Sequence, residues 1–190
     1  MIVLEDRELV ILTPPHTASG NLHRALCGSE FGGHWAIGPT PDGSGHDHHI
    51  MKLAEGWKDF RVALVVRHPL DRMIGLYEHH QKLSEDNGWN LIPWWLFVAQ
   101  ALSKHADISW FYRTTICELI GDTQPDCVLR YESLSFDLEN ILGQSVPMLS
   151  GWTDARVWES FYAQVGPCCQ VEWWAACDME RWGYESRVKD

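Results

Sequence analysis

The sequence predicts an α/β fold in which a parallel central sheet has helices on both faces. Three short runs of β-branched and apolar residues, at 8–13, 61–66 and 126–131, are typical of buried parallel strands. Segments with apolar side chains at helical spacing alternate with them, which favours parallel pairing through right-handed crossovers. The chain has 190 residues, and we expect one domain spanning residues 1–190.

The first predicted strand ends at Pro14 and Pro15, and a short polar loop leads from there into a predicted helix over residues 21–27. Residues 28–47 carry six glycines and two prolines, which predicts an irregular surface loop. A brief strand is expected at 48–53.

Beyond the strand at 61–66, apolar residues at i, i+3, i+4 and i+7 predict a helix from Pro69 to about Leu83, with the proline in its first turn. The remaining predicted elements are helices over 89–102 and 108–119, the strand at 126–131, a helix at 134–142, and helices near 154–164 and 171–182.

Composition limits the classes of function. The net charge of −11 argues against binding a nucleic-acid polymer, although a few local donors suffice to hold one nucleotide. The six cysteines show no CxxC pair and no regular zinc spacing, so no metal site is predicted. No apolar segment follows Met1 and no apolar run of membrane-spanning length occurs, so we expect neither a signal peptide nor a membrane span, and a cytoplasmic location with reduced thiols.

Two turns are the places to look for a ligand, because open α/β sheets bind ligands where their parallel strands end. These turns run from Pro15 to Asn21 and from Arg67 to Arg72. The first turn offers small residues whose backbone N–H groups can face an anion at the start of a helix. It lacks the Gly-x-x-x-x-Gly-Lys-Ser/Thr pattern of ATP-binding loops.

Four segments in order resemble the sulfotransferases that use 3′-phosphoadenosine 5′-phosphosulfate (PAPS). Pro-His-Thr-Ala-Ser-Gly-Asn, from residue 15, is similar to their 5′-phosphosulfate loop, and Arg-His-Pro-Leu-Asp-Arg, from residue 67, is similar to their 3′-phosphate segment. Leu-Arg-Tyr-Glu-Ser-Leu, from residue 129, resembles a later strand end, and Asp-Met-Glu-Arg-Trp-Gly-Tyr, from residue 178, resembles the closing segment of carbohydrate and microbial members.

The resemblance implies a P-loop-like fold, PAPS as co-substrate, 3′,5′-bisphosphorylated adenosine as product, and transfer to a hydroxyl of a small-molecule or glycan acceptor. Arg67 would bind the 3′-phosphate, a role that suits a guanidinium fork, with Arg72 in a less defined role. The loop residues implied to hold the 5′-phosphate and sulfate are Pro15, His16, Thr17, Ala18, Ser19, Gly20 and Asn21.

Two positions depart from the family pattern. His16 stands where the family has a lysine that steadies the leaving group, and Gly75 stands where it has a serine that helps to hold the 3′-phosphate. Since an unperturbed histidine is mostly charged only below about pH 6.5, leaving-group stabilisation by His16 would depend on pH. These departures also leave open a non-catalytic nucleotide-binding protein of the same fold.

The segment Gly-His-Asp-His-His, from residue 45, supplies candidates for the general base that removes the acceptor's proton. In many family members a histidine near this point has that role, and the resemblance implies it for His48 or His49. A metal site formed by His46, Asp47 and these two histidines is an alternative, as is a solvated polar loop.

Overall fold

A computed structural model describes residues 1–27, 29–36, 38–39, 46–47, 53, 55–104, 110–146 and 159–188. The chain divides into two compact units. One comprises Met1–Arg67 and Glu118–Trp152, and the other comprises His68–Cys117 and Thr153–Asp190. The strands belong to the first unit and most of the helices to the second.

Seven strands are present in the described residues. They are β1 (Ile2–Leu4), β2 (Leu9–Leu12), β3 (His34–Trp35), β4 (Gly38–Pro39), β5 (His46–Asp47), β6 (Arg61–Val66) and β7 (Cys127–Arg130). Five of them form one sheet in the order β3-β1-β2-β6-β7, and β4 and β5 form a separate antiparallel pair.

The five-stranded sheet is mixed, so the fold is α/β but the predicted parallel sheet is only partly right. Strands β2, β6 and β7 are parallel, whereas β1 is antiparallel to both β2 and β3. A 3-10 turn at Glu5–Arg7, followed by Glu8 with φ of +47°, reverses the chain directly after β1. So short a connection can form only an antiparallel pair, because a parallel crossover needs a dozen or more residues.

The helices in the described residues are α1 (Ser19–Leu26), α2 (Pro69–Asn87), α3 (Trp94–Leu102), α4 (Ile116–Ile120), α5 (Leu134–Leu142), α6 (Glu159–Tyr162), α7 (Val165–Trp174) and α8 (Ala176–Trp182). None of the helices in the described ranges has the length and apolar character required to cross a bilayer.

The core of the first unit lies between the sheet and helices α1 and α5. Leu22 and Leu26 of α1, and Leu138 of α5, are fully buried in one apolar cluster with Ile11 of β2 and Val65 of β6. Alternate residues along β2 and β6 face this cluster, as the period of a strand requires. Burying these side chains stabilises each by about 1.5–3 kcal/mol relative to exposure, which holds both strands in place.

The second unit is an aromatic-rich helical assembly. Tyr77 of α2 contacts Trp94 and Phe97 of α3, with ring centroids 5.3 Å apart in each pair. Helix α2 begins at the predicted Pro69 and continues to Asn87, four residues beyond the predicted end. It stops at Gly88, whose φ of +68° suits a glycine.

Two predicted helices are each divided in the structure. In the 108–119 segment, a 3-10 turn at Trp110–Arg113 precedes α4, and the hydroxyl of Thr114 donates to the carbonyl oxygen of Trp110 at 2.6 Å. Such local side-chain bonding competes with a continuous helix. The predicted 171–182 helix is instead α7 and α8, which meet at Ala175. Residues 48–52, 105–109 and 147–158 lie outside the described part, together with the predictions made for them.

Candidate functional site

The turns that follow β2, β6 and β7 start from the same rim of the parallel part of the sheet. This is the rim at which open α/β sheets bind ligands. The turn after β2 meets Arg67, whose Nη1 donates to the carbonyl oxygen of His16 at 3.0 Å.

The loop after β2 is closed by Thr17. Its N–H and its hydroxyl both donate to the carbonyl oxygen of Pro14, at 3.2 and 2.7 Å, and its side chain is fully buried. The hydroxyl hydrogen is therefore already used in the turn, and Thr17 shapes the loop through these two bonds. Ser19 is partly exposed, so its hydroxyl fits a ligand contact better.

Two loop residues adopt left-handed backbone conformations that side chains other than glycine rarely take. His16 has φ of +61° and Ala18 has φ of +75°. Each such conformation costs an L-residue about 1–2 kcal/mol. Strain of this kind is concentrated at binding and catalytic sites, and successive N–H groups in alternating conformations form anion-binding concavities.

The start of α1 carries backbone donors without protein acceptors. Ala18 occupies the cap position without a side-chain cap bond, and within the described ranges the N–H groups of Ala18, Ser19 and Gly20 have no bonded acceptor. The first turn of α1 has no acidic residue, so no side-chain charge there offsets the positive end of the helix dipole. Gly20 is exposed, and a Cβ built on it would meet nothing within 4 Å.

Arg67 connects the turns after β2, β6 and β7. Its guanidinium carbon lies 4.1 Å from the centroid of the Tyr131 ring, and Tyr131 follows β7 directly. Arg67 is only 5 % exposed. The side chain therefore fixes the backbone of the loop at His16 while it is held against the face of an aromatic ring. Its contact with a 3′-phosphate stays a prediction.

Arg72, the second arginine of the resemblance, lies within the second unit. Its guanidinium donates to the carbonyl oxygens of Thr114 at 2.9 Å and Phe111 at 3.3 Å, and the residue is 2 % exposed. These bonds tie α2 to the segment before α4, which is a structural role. Phosphate binding by Arg72 stays a prediction, and Gly75 is buried within α2.

The predicted general bases, His48 and His49, lie outside the described residues. The backbone of His46 and Asp47 forms β5. Among the other loop residues, Pro15 is buried, and Asn21 accepts a hydrogen bond from the guanidinium of Arg24 one turn further along α1.

His68 directly follows Arg67 and caps α2. Its Nδ1 accepts the N–H of Leu70 at 3.2 Å, and its Nε2 lies 2.9 Å from the carbonyl oxygen of Glu185. The neutral ring with its hydrogen on Nε2 satisfies both contacts. Burial is the main cause that lowers the pKa of His68, against the opposing effects of the Glu185 carbonyl and Asp71. We assign His68 to holding the start of α2, since both ring nitrogens contact main-chain atoms.

No family model, curated protein or solved structure matches this chain.

A surface pocket of about 450 Å³ opens at the other rim of the sheet, lined by residues that include Lys58, Arg61 and Asp126. Arg61 begins β6, and Asp126 precedes β7. Asp126 already accepts the N–H of Val62 at 2.7 Å. We place the site at the carboxyl rim because the strained loop and the unbonded N–H groups lie there.

Tyr131 is a site residue that was not predicted from the sequence. Its position directly after a predicted strand was the available signal, because the rule that selected the turns after the first two strands applies equally to the third. We used the segment around Tyr131 only for the resemblance. The contact with Arg67 adds Tyr131 to the candidate site.

Proposed function

We propose that this protein is a sulfotransferase that binds PAPS at the carboxyl rim of β2, β6 and β7 and moves its sulfuryl group to an acceptor hydroxyl. The observation that carries this function is the contact between Arg67 and the backbone of the loop at His16. It brings together the two segments that resemble the 5′- and 3′-phosphate motifs of PAPS-dependent sulfotransferases. The P-loop-like fold of that family is part of the proposal.

The 5′-phosphate and sulfate would lie against the start of α1. The N–H groups of Ala18, Ser19 and Gly20, which have no acceptor within the described ranges, and the partly exposed Ser19 hydroxyl would donate to them. Backbone donors held in place before the reaction stabilise developing negative charge without reorganisation. This local arrangement accounts for binding an anion to a chain with a net charge of −11.

In the proposed step the acceptor oxygen attacks sulfur in line with the leaving phosphate. A new S–O bond to the acceptor forms as the S–O bond to the 5′-phosphate breaks. The acceptor's proton passes to a histidine, for which His48 and His49 are the candidates, and 3′,5′-bisphosphorylated adenosine leaves. His16, in its protonated form, would stabilise the negative charge on the departing phosphate. Positioning of the two substrates and electrostatic stabilisation of the transition state supply most of the rate enhancement, as in phosphoryl transfer.

The second candidate function is nucleotide binding without catalysis. It is favoured by the absence of a loop lysine at His16 and by the low exposure of Arg67, which is engaged with protein groups. A binding protein would hold 3′,5′-bisphosphorylated adenosine and PAPS alike and leave the sulfuryl group in place.

Turnover separates the two functions. PAPS labelled in its sulfuryl group is incubated with the protein and sugar, lipid, peptide and small alcohol acceptors, and label on the acceptor is measured. If the protein is a transferase, we expect labelled product with wild type and a more than about tenfold lower yield with Arg67→Ala. The reason is that losing one charged hydrogen bond to the 3′-phosphate costs about 1.5–3 kcal/mol. Arg61→Ala is the matched control, because Arg61 is an exposed arginine at the start of β6, the strand that Arg67 follows. Binding of PAPS with no label transferred or released would establish the non-catalytic alternative.

A further inference from the structure

A cluster of metal-ligating side chains lies in the second unit, and it includes Asp178, the first residue of the closing segment named in the sequence analysis. One ligand atom from each of Cys117, Cys177 and Asp178 lies within 4.8 Å of the other two. Cys117 is in α4, and the other two residues are consecutive in α8. Because the two segments are far apart in the sequence, no zinc-type spacing is visible, and the folded chain alone brings these groups together.

The carboxylate of Asp178 is held in one orientation. It is 1 % exposed, its Oδ2 accepts the N–H of Ile116 at 2.8 Å, and its Oδ1 accepts the N–H of Cys117 at 2.7 Å. A carboxylate offers about four lone-pair sites, so two backbone bonds leave about two sites for other partners. Fixed orientation of a ligand by hydrogen bonds to its outer side is a regular feature of protein metal sites.

The two sulfur atoms differ in access. Cys177 is exposed and Cys117 is half-buried, so the cluster reaches the surface at Cys177. Burial, followed by hydrogen bonds with Cys177 and Asp178, raises the pKa of the Cys117 thiol. A protonated thiol is a poor nucleophile and a poor metal ligand, so Cys117 binds an ion only if the ion displaces its proton.

We propose that Cys117, Cys177 and Asp178 form a binding site for a thiophilic divalent metal ion of the zinc class. Two sulfurs and one carboxylate oxygen are ligands that Zn²⁺ accepts, and a three-ligand site keeps a fourth tetrahedral position for water. Each thiol releases its proton to solvent as its sulfur binds the ion. The bound ion joins the start of α8 to α4. The site is independent of the proposed sulfotransferase function.

Cobalt titration tests the site, because Co²⁺ takes the place of Zn²⁺ and thiolate ligands give it a charge-transfer absorption in the near ultraviolet. The protein is freed of metal with a chelator, desalted, and titrated with CoCl₂ under a phosphine reductant, which keeps the thiols from pairing. We expect one Co²⁺ per chain with thiolate charge-transfer absorption, and displacement of that absorption by Zn²⁺.

Cys177→Ser and Cys117→Ser should each lower Co²⁺ affinity by more than about 100-fold, because loss of an outer-shell partner alone costs about 10- to 100-fold. Cys169→Ser is the matched control, since Cys169 is an exposed thiol in α7 outside the cluster, and it should titrate like wild type. Cys177 is exposed, so its serine variant should fold even if the Cys117 variant does not, which a thermal melt without metal checks. Wild-type protein without thiolate charge-transfer absorption, or an equal loss in Cys169→Ser, would overturn the site.

Discussion

The loop after β2 makes a measurable prediction at Ala18, because its φ of +75° places an alanine in a conformation that glycine tolerates much better. Ala18→Gly removes the steric cost of that conformation, about 1–2 kcal/mol. The same substitution also removes a methyl group and gives the unfolded chain more backbone freedom. The added backbone freedom lowers the free energy of unfolding by about 0.5–1 kcal/mol. The net change in the free energy of unfolding should therefore lie close to zero or be favourable.

Ala25→Gly is the matched control. Ala25 lies in the regular part of α1, and both alanines are partly buried against the same apolar cluster. Both substitutions add backbone freedom to the unfolded chain and remove one methyl group, so these two costs are similar. Only Ala18→Gly also relieves the strain of a left-handed backbone. Ala25→Gly should lose about 1 kcal/mol, as glycine does in a helix interior. The two variants should thus differ by about 1–2 kcal/mol, with Ala18→Gly the more stable.

Urea denaturation followed by circular dichroism measures this difference through the midpoints of the two transitions at equal slope. Equal losses of stability in both variants would show that Ala18 is not strained in solution, and the reasoning that links the loop conformation to anion binding would be wrong.

Three further predictions follow from the contacts around the rim and at the start of α2. Arg67→Ala should lower the free energy of unfolding by about 2–4 kcal/mol, because it removes a charged hydrogen bond to His16 and the contact with the Tyr131 ring. Urea denaturation should show a far smaller loss for Arg61→Ala, since Arg61 is exposed. Equal losses in the two variants would contradict the role of Arg67 in holding the loop. The folded-state pKa of His68 lies below its unfolded value near 6.5, so the stability that neutral His68 contributes is complete above about pH 6.5 and is lost as the pH falls below it. His68→Asn keeps a capping acceptor for Leu70, and its stability should fall less than that of wild type between pH 7 and pH 5, whereas parallel curves would remove His68 as the source. His16→Lys should retain or raise sulfuryl transfer above pH 8, where a lysine remains charged, and inactivity of the variant at every pH would contradict a leaving-group role for position 16.

The parallel strands and the meeting of their turns follow from local sequence. In Arg61–Val66 the last five residues are apolar and buried, and three of them are valines, so this short run specifies a strand that is buried on both faces. Once β2 and β6 are adjacent and parallel, their carboxyl ends share a rim, and the contact between Arg67 and His16 follows from topology.

Strand β1 was not predicted because it is very short and the turn after it lacks the usual turn residues. It has only three residues, and the reversal after it uses Glu5–Arg7 and a left-handed Glu8 in place of a glycine, asparagine or proline turn. The antiparallel part of the sheet is stabilised by burial of Ile2 and Leu4 in the core, which sequence patterns do not reveal.

The remaining side-chain contacts depend on segments that are distant in the sequence. Tyr131 lies over Arg67 only because β6 and β7 pair, and Asp178 caps α4 only because α8 is placed beside it. That capping also explains why α4 begins anew at Ile116, where the helical spacing alone predicted a continuous helix. Contacts of this type are specified by the fold and have no local signal.

Selective binding of 3′,5′-bisphosphorylated adenosine tests the central claim most directly. Thermal unfolding is measured with this nucleotide and with ADP at equal concentrations, because a ligand that binds only the folded state raises its stability, by about 2.7 kcal/mol at 100 times Kd. We predict a clear rise in Tm with the 3′-phosphorylated nucleotide, a smaller rise with ADP, and loss of the difference in Arg67→Ala but not in Arg61→Ala. Equal shifts with both nucleotides, or no shift with either at millimolar concentration, would contradict a PAPS site at this rim.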